Sequence, residues 1–221
     1  FGYTVHVIGS NPNDTLAKSA EQYWNIDYSD TAALSDLIEK EAFDYLVPGC
    51  TDRSYKSCAA VSQGRFPGIE SPDIEHGMHN KEKFRAIAKK LNLPIPETQN
   101  HNSKSLDYPV IIKPVDSFSG RGITVIKNHN KRLLDSAIKL ARKNSATEEY
   151  LLEKFVTGEL YSHSAFLKNK RAIKNFFVKE DSTVNSFVVD TSRVIFSPPP
   201  EMQRQIINAI EKLARYLRLK D

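Results

Sequence analysis

Residues 108–122 read YPVIIKPVDSFSGRG, and this stretch decides how the rest of the chain is read. Val110 to Val115 is an apolar run of strand length with Lys113 inside it. An ammonium group in the middle of such a strand is costly to bury unless it meets an anion. Lys113 therefore wants a partner. Immediately downstream, Ser117, Ser119, Gly120 and Gly122 form a loop of small side chains, whose backbone N–H groups could approach phosphate oxygens closely. A second strand over Gly122 to Ile126 would then complete a hairpin-like pair. Two readings stay open on these residues alone. Either lysine and loop form a phosphate site, or Lys113 lies on an edge strand with its head in water and SFSGRG is an ordinary turn. The segment is not a Walker A loop, since no Gly-Lys-Ser/Thr follows the glycines, and the dinucleotide spacing G-x-G-x-x-G is absent.

Working outward, Lys131 to Lys143 carries Leu134, Ala137, Ile138 and Ala141 at helical spacing. Strand-like runs follow over Tyr150 to Val156, Leu160 to Leu167 and Ala172 to Val178, with a weaker one at Val184 to Val189. Pro200 to Leu219 closes the chain as a helix striped by Ile206, Ile210, Leu213 and Leu217. Upstream, Asn80 to Asn92 is helical, with Phe84, Ile87, Ala88 and Leu91 on one face, and Pro94 and Pro96 stop it. Residues 97–108 are polar and read as a connection.

The front of the chain alternates. Tyr3 to Ile8 reads as a buried strand after a Phe1-Gly2-Tyr3 turn, and Thr31 to Ala42 is an amphipathic helix with Asp30 as N-cap. Strands are expected at Tyr45 to Gly49 and Phe66 to Ile69, with a helix between them at Ser54 to Ser62. Strand, helix, strand in this order suggests parallel βαβ packing. The fold class expected is α/β in front and α+β behind. So abrupt a start also suggests that an earlier strand and helix belong to the fold.

The 221 residues carry a net charge of +4, but the halves differ in sign. Residues 1–100 hold 10 Lys/Arg against 14 Asp/Glu, and residues 101–221 hold 21 against 13. A basic second half suits a polyanionic ligand, a nucleotide or a nucleic acid. Nucleic acid is disfavoured because the lysines are not interleaved with aromatic side chains on one evident face. No apolar run reaches the roughly 20 residues of a bilayer span, and no signal-peptide pattern opens the chain, so a cytoplasmic protein is the default expectation. Cys50 and Cys58 are too few for a disulfide framework and read as buried thiols.

The strand with its lysine, the Gly/Ser loop ending in Arg121-Gly122 and the returning strand resemble the ATP-grasp superfamily, in its carbamoyl phosphate synthetase and biotin carboxylase branch. Three further segments agree in order. Asn80-Lys81 heads a helix as the family's Asn-Lys does, whose lysine contacts ATP phosphate. Glu153-Lys154-Phe155-Val156 resembles the hinge that receives adenine, and Gly158-Glu159 resembles the pair whose acid meets the ribose hydroxyls.

The resemblance implies a front α/β domain of the Rossmann-like, parallel kind over residues 1–75 and an ATP-grasp region over 76–221. It implies ATP and Mg²⁺ as cofactors and a ligase that joins a small carboxylate to an amine or thiol through an acylphosphate. Lys81 and Lys113 would meet the α- and β-phosphates, and Ser117 to Gly122 would cover the γ-phosphoryl group. The family holds Mg²⁺ with a Glu and a Glu-x-Asn on strands after the final helix. Such strands are expected beyond Asp221, and no metal ligand is assigned within the chain. A non-catalytic nucleotide-binding module on the same fold is the alternative. No membrane partner is implied, and a homodimer is compatible.

Overall fold

The computed structural model describes residues 2–103 and 105–220, so Phe1 of the expected opening turn lies outside them. The chain divides into two compact units, Phe1–His76 and Gly77–Leu219.

In the first unit, β1 (His6–Gly9) is followed by α1 (Thr15–Ser19) and β2 (Gln22–Asn25). The two strands pair in parallel, His6 with Gln22 through Gly9 with Asn25. The helix α2 (Thr31–Glu41) begins where Asp30 accepts from the N–H groups of Ala32 and Ala33, two donors that the helix itself cannot satisfy. It ends on Ala42 in the left-handed conformation. α3 (Asp52–Ser62) is capped by Thr51 in the same manner. Leu34 and Ile38 from α2 pack with Cys58 and Val61 from α3, and Phe66 and Ile69 complete that core.

Two expected strands are absent from this unit. Tyr45–Gly49 has no ladder partner, and Val47 is 83% exposed. Pro48 lacks an N–H and so cannot donate to a ladder. Phe66 and Ile69 are buried anchors on either side of a turn at Gly68 (φ 71°). The parallel sheet is thus the single β1–β2 pair, and β2 fell where no strand was expected. Cys50 is exposed, contrary to expectation, whereas Cys58 is buried and burial pushes its thiol up to about 11.

The helix α4 (Pro72–His79) leads into α5 (Lys81–Lys90), which Asn80 caps by accepting from the Lys83 N–H. The second unit then builds two antiparallel sheets. The first has the order β4-β3-β5, from β3 (Val110–Pro114), β4 (Thr124–Ile126) and β5 (Tyr150–Lys154). α6 (Lys131–Lys143) covers one face of it. Val110, Ile112, Ile126 and Leu152 meet Leu134, Ala137 and Ala141 there. Each large aliphatic side chain so buried contributes about 1.5–3 kcal/mol.

The second sheet has the order β6-β7-β8, from β6 (Leu160–Lys168), β7 (Arg171–Asp181) and β8 (Thr191–Ile195), and α7 (Pro200–Leu217) packs on β7. The weak run at Val184 to Val189 is the β7–β8 connection, not a strand. Asn185 and Asp190 hold its backbone N–H groups with their side chains, which takes those donors away from any ladder. On α7 the expected stripe is half-buried, and Ala214 is the residue fully enclosed.

Candidate functional site

Strand alternation decides which side chains of the β4-β3-β5 sheet face away from α6. Val110 and Ile112 point to the helix, so Ile111 and Lys113 point the other way. Ile111 pairs with Glu153 and Lys113 with Leu151, which makes Lys113 and Glu153 diagonal neighbours on that second face. The Lys113 Nζ lies 2.5 Å from Glu153 Oε2. Lys113 has therefore found an anion inside the protein.

Glu153 has 0% exposure and a second cation. The Arg85 Nε donates to Oε1 at 2.5 Å, and a guanidinium NH₂ donates to Oε2 at 3.3 Å. Burial pushes the Glu153 carboxyl up, but the hydrogen bonds and charges of Arg85 and Lys113 outweigh it and hold the group below the usual 4.5. Two cations against one carboxylate leave one uncompensated positive charge on this face. Arg85 was not anticipated, although a signal existed. It follows Lys81 by four residues on a helix, which places both on one face.

The loop after β3 is fixed at its feet. The Lys81 N–H donates to Val115 O at 2.9 Å, and the Lys81 Nζ donates to Ser117 O at 2.7 Å. The first turn of α5 is thereby tied to the start of the loop. The Asp116 carboxylate accepts from the Ala146 N–H at 3.1 Å. Ser117 Oγ donates across the loop to Arg121 O at 3.0 Å. Ser119, Gly120 and Gly122 all have positive φ, at 54°, 72° and 72°. A Cβ on Gly122 would lie 2.8 Å from Asn144 Cβ and 2.9 Å from Pro114 Cγ, so glycine is required there by space as well as by conformation. Arg121 is exposed, and Phe118, also exposed, has the Lys81 ammonium 6.0 Å from its ring centre.

The remaining expected residues lie further along. The Lys154 ammonium pairs with Asp107, which raises its pKa, and the Lys154 N–H donates to Glu97 O. The Phe155 N–H donates to Pro109 O at 2.8 Å, and Val156 is 66% exposed. The hinge backbone is thus pinned through Phe155 and turns outward at Val156. Glu159 is exposed, accepts from the Tyr161 hydroxyl at 2.6 Å and pairs with Lys179. Both contacts, Lys179 first, lower its pKa. Lys179 is consequently engaged and partly covered, whereas Lys174 is exposed.

Three features are brought together: the Arg85–Glu153–Lys113 cluster, the α5 N-terminus with Lys81, and the glycine loop. Glu159 lies just before β6, with its own partners. Among the described residues, no group of three or more His, Cys, Asp or Glu side chains is placed to hold a metal ion. No described helix is long and apolar enough to cross a membrane.

The site thus joins a sheet face with excess positive charge to a glycine loop whose feet are pinned, on an α/β fold. The chain belongs to the ATP-grasp family: the family profile described as ATP-grasp domain matches residues 106–221. The formate-dependent phosphoribosylglycinamide formyltransferase of Histophilus somni is 28% identical over 136 residues, which cover 58% of this chain and 35% of that protein. The arginine-specific large chain of carbamoyl phosphate synthase from Bacillus subtilis is 25% identical over 177 residues, covering 71% of this chain and 17% of that one. The chain therefore spans about a third or less of these two relatives.

Among solved structures, the biotin carboxylase domain dimer of Hydrogenobacter thermophilus 2-oxoglutarate carboxylase, in complex with MgADP, ADP and bicarbonate, aligns over 100% of this chain. The match covers 54% of that domain at 16% identity, with a TM-score of 0.76. An L-amino acid ligase from Bacillus licheniformis aligns over 98% of this chain and 54% of its own, at 17% identity and a TM-score of 0.67. These two likenesses concern the fold.

Proposed function

We propose that the protein is an ATP-dependent ligase that activates a small carboxylate by phosphoryl transfer and passes the acyl group to an amine or thiol. The observation that carries this reading is the pinned glycine loop next to a buried cluster with excess positive charge. In it Ser117, Ser119, Gly120, Arg121 and Gly122 would cover the phosphates. Lys81 and Lys113 would supply point charges toward them, and Arg85 keeps Glu153 neutralised so that Lys113 retains charge for the ligand. The Glu153-to-Val156 segment would receive adenine at its outward-turning end, with Lys154 and Phe155 holding the backbone. Glu159 offers two acceptor oxygens to vicinal hydroxyls once Tyr161 and Lys179 yield them.

The relatives' printed activities, formyl transfer to a phosphoribosylglycinamide and carbamoyl phosphate synthesis, are consistent with such chemistry. In the acylphosphate scheme the carboxylate oxygen attacks the γ-phosphorus and ADP leaves. The amine or thiol then attacks the carbonyl carbon and phosphate leaves. Catalysis of this kind comes from positioning and charge stabilisation. Mg²⁺ is the metal expected with ATP, but the described residues do not assemble a set of acids to hold it. Residues 1–75 would serve as the front domain and 76–221 as the nucleotide-binding region.

ADP release by the intact protein, measured with MgATP against a panel of carboxylic and amino acids, tests the reading. Turnover stimulated by one acid and one amine supports it. ATP binding with no stimulated turnover would instead favour a nucleotide-binding sensor.

A further inference from the structure

The glycine loop is fixed at its feet by its own surroundings, but its tip is held from elsewhere. A Cβ placed on Gly120 would lie 2.9 Å from Phe187 Cβ and 3.1 Å from Phe187 O. Phe187 sits in the β7–β8 connection, so this contact joins the tip to the second sheet. The connection is built to present it. Asp190 accepts from the Thr183 N–H and hydroxyl, both at 2.6 Å, and from the Val184 N–H at 3.1 Å. The Asp190 N–H closes the base on Asp181 O at 3.0 Å. Asn185 accepts from the Phe187 N–H at 3.0 Å through its side chain and from the Val188 N–H at 2.9 Å through its carbonyl. Of the four large apolar residues in this connection, Val184, Val188 and Val189 are exposed, and Phe187 alone is half-buried.

We propose that Phe187 is a positioning residue: it latches the tip of the glycine loop, and so sets how firmly that loop closes over bound nucleotide phosphates. The Asp190 and Asn185 hydrogen bonds make the connection rigid enough to act as a stop. Gly120 is the matching half, because any side chain there would strike the latch and would also be strained at a φ of 72°. The functional part of this inference rests on the ATP-binding reading above. The contact itself is a feature of the fold, so it can be tested separately.

The test is peptide-resolved hydrogen exchange on the intact protein, with and without ATP, alongside ATP affinity. In Phe187→Gly, which removes the Cβ that faces Gly120 and frees the backbone of the connection, exchange across residues 117–123 should rise about tenfold. Peptides from β3 and β5 should be unchanged, which reports an intact fold. Phe187→Ala, which keeps that Cβ, should restore most of the protection, and Asp190→Asn should loosen the same peptide without touching Phe187. ATP affinity should fall in step with exchange. Unchanged exchange at 117–123 in both Phe187→Gly and Asp190→Asn overturns the latch. Faster exchange with unchanged ATP affinity overturns its part in nucleotide closure. If the unsubstituted protein binds no ATP, the ligase reading fails, while the exchange result still decides the latch.

Discussion

Glu153 within β5 and Glu159 just before β6 are each paired with a lysine, and the pairs differ in almost every physical respect. Glu153 has no exposed surface and holds both Lys113 and Arg85. Glu159 is exposed and holds Lys179 with help from the Tyr161 hydroxyl. In the first case three charged groups have left water, and each depends on the others. In the second, water and salt compete with the pair. The same pairing is therefore structural in β5 and adjustable at Glu159, the acid proposed above to meet ligand hydroxyls.

The largest expected effect breaks the buried side of this comparison. Glu153→Gln leaves Lys113 and Arg85 partly buried without a counter-charge, and should cost about 3–5 kcal/mol. A melting curve that falls by roughly 10 °C would match it. Next, Gly122→Ala forces a Cβ against Asn144 and Pro114 at a positive φ and should cost about 1–3 kcal/mol. Urea unfolding with an unchanged slope would measure that.

The smallest effect lies on the exposed side. Glu159→Gln should leave the melting temperature within error while ATP affinity falls, and this split marks a ligand contact, not a structural one. The pH dependence sharpens the comparison further. Both carboxyls have folded-state pKa values below the usual 4.5, so the stability tied to each is present above that pH and is lost as pH falls through the lowered value; for exposed Glu159 water and salt screen that share to almost nothing. Acid titration followed by melting should show most of the loss in the unsubstituted protein, and little of it in Glu153→Gln.

What could be read in the sequence was what depends on local pattern. Leu134, Ala137 and Ala141 announce α6 because a helix repeats every few residues, and Asp30 and Asn80 announce helix starts because their side chains accept from the next turn. The lysine in an apolar strand correctly demanded an anion. That the anion is Glu153 depends on which strand lies beside β3, and a sequence does not display strand order. Tyr45–Gly49 misled for a related reason: apolar character reports burial tendency, whereas a strand also needs a free edge to bond. The contact between Gly120 and Phe187 joins distant segments, so only the glycine, and not its partner, was visible beforehand.

The central claim is that the cationic face and glycine loop bind ATP through phosphate contacts. Its most direct measurement is calorimetric titration of ATP into the intact protein and into Lys113→Met, with melting curves to confirm that both are folded. The account predicts binding by the unsubstituted protein and a loss of about 1.5–3 kcal/mol in the variant, the value of one charge-assisted contact. Equal affinity in the two folded proteins would contradict it.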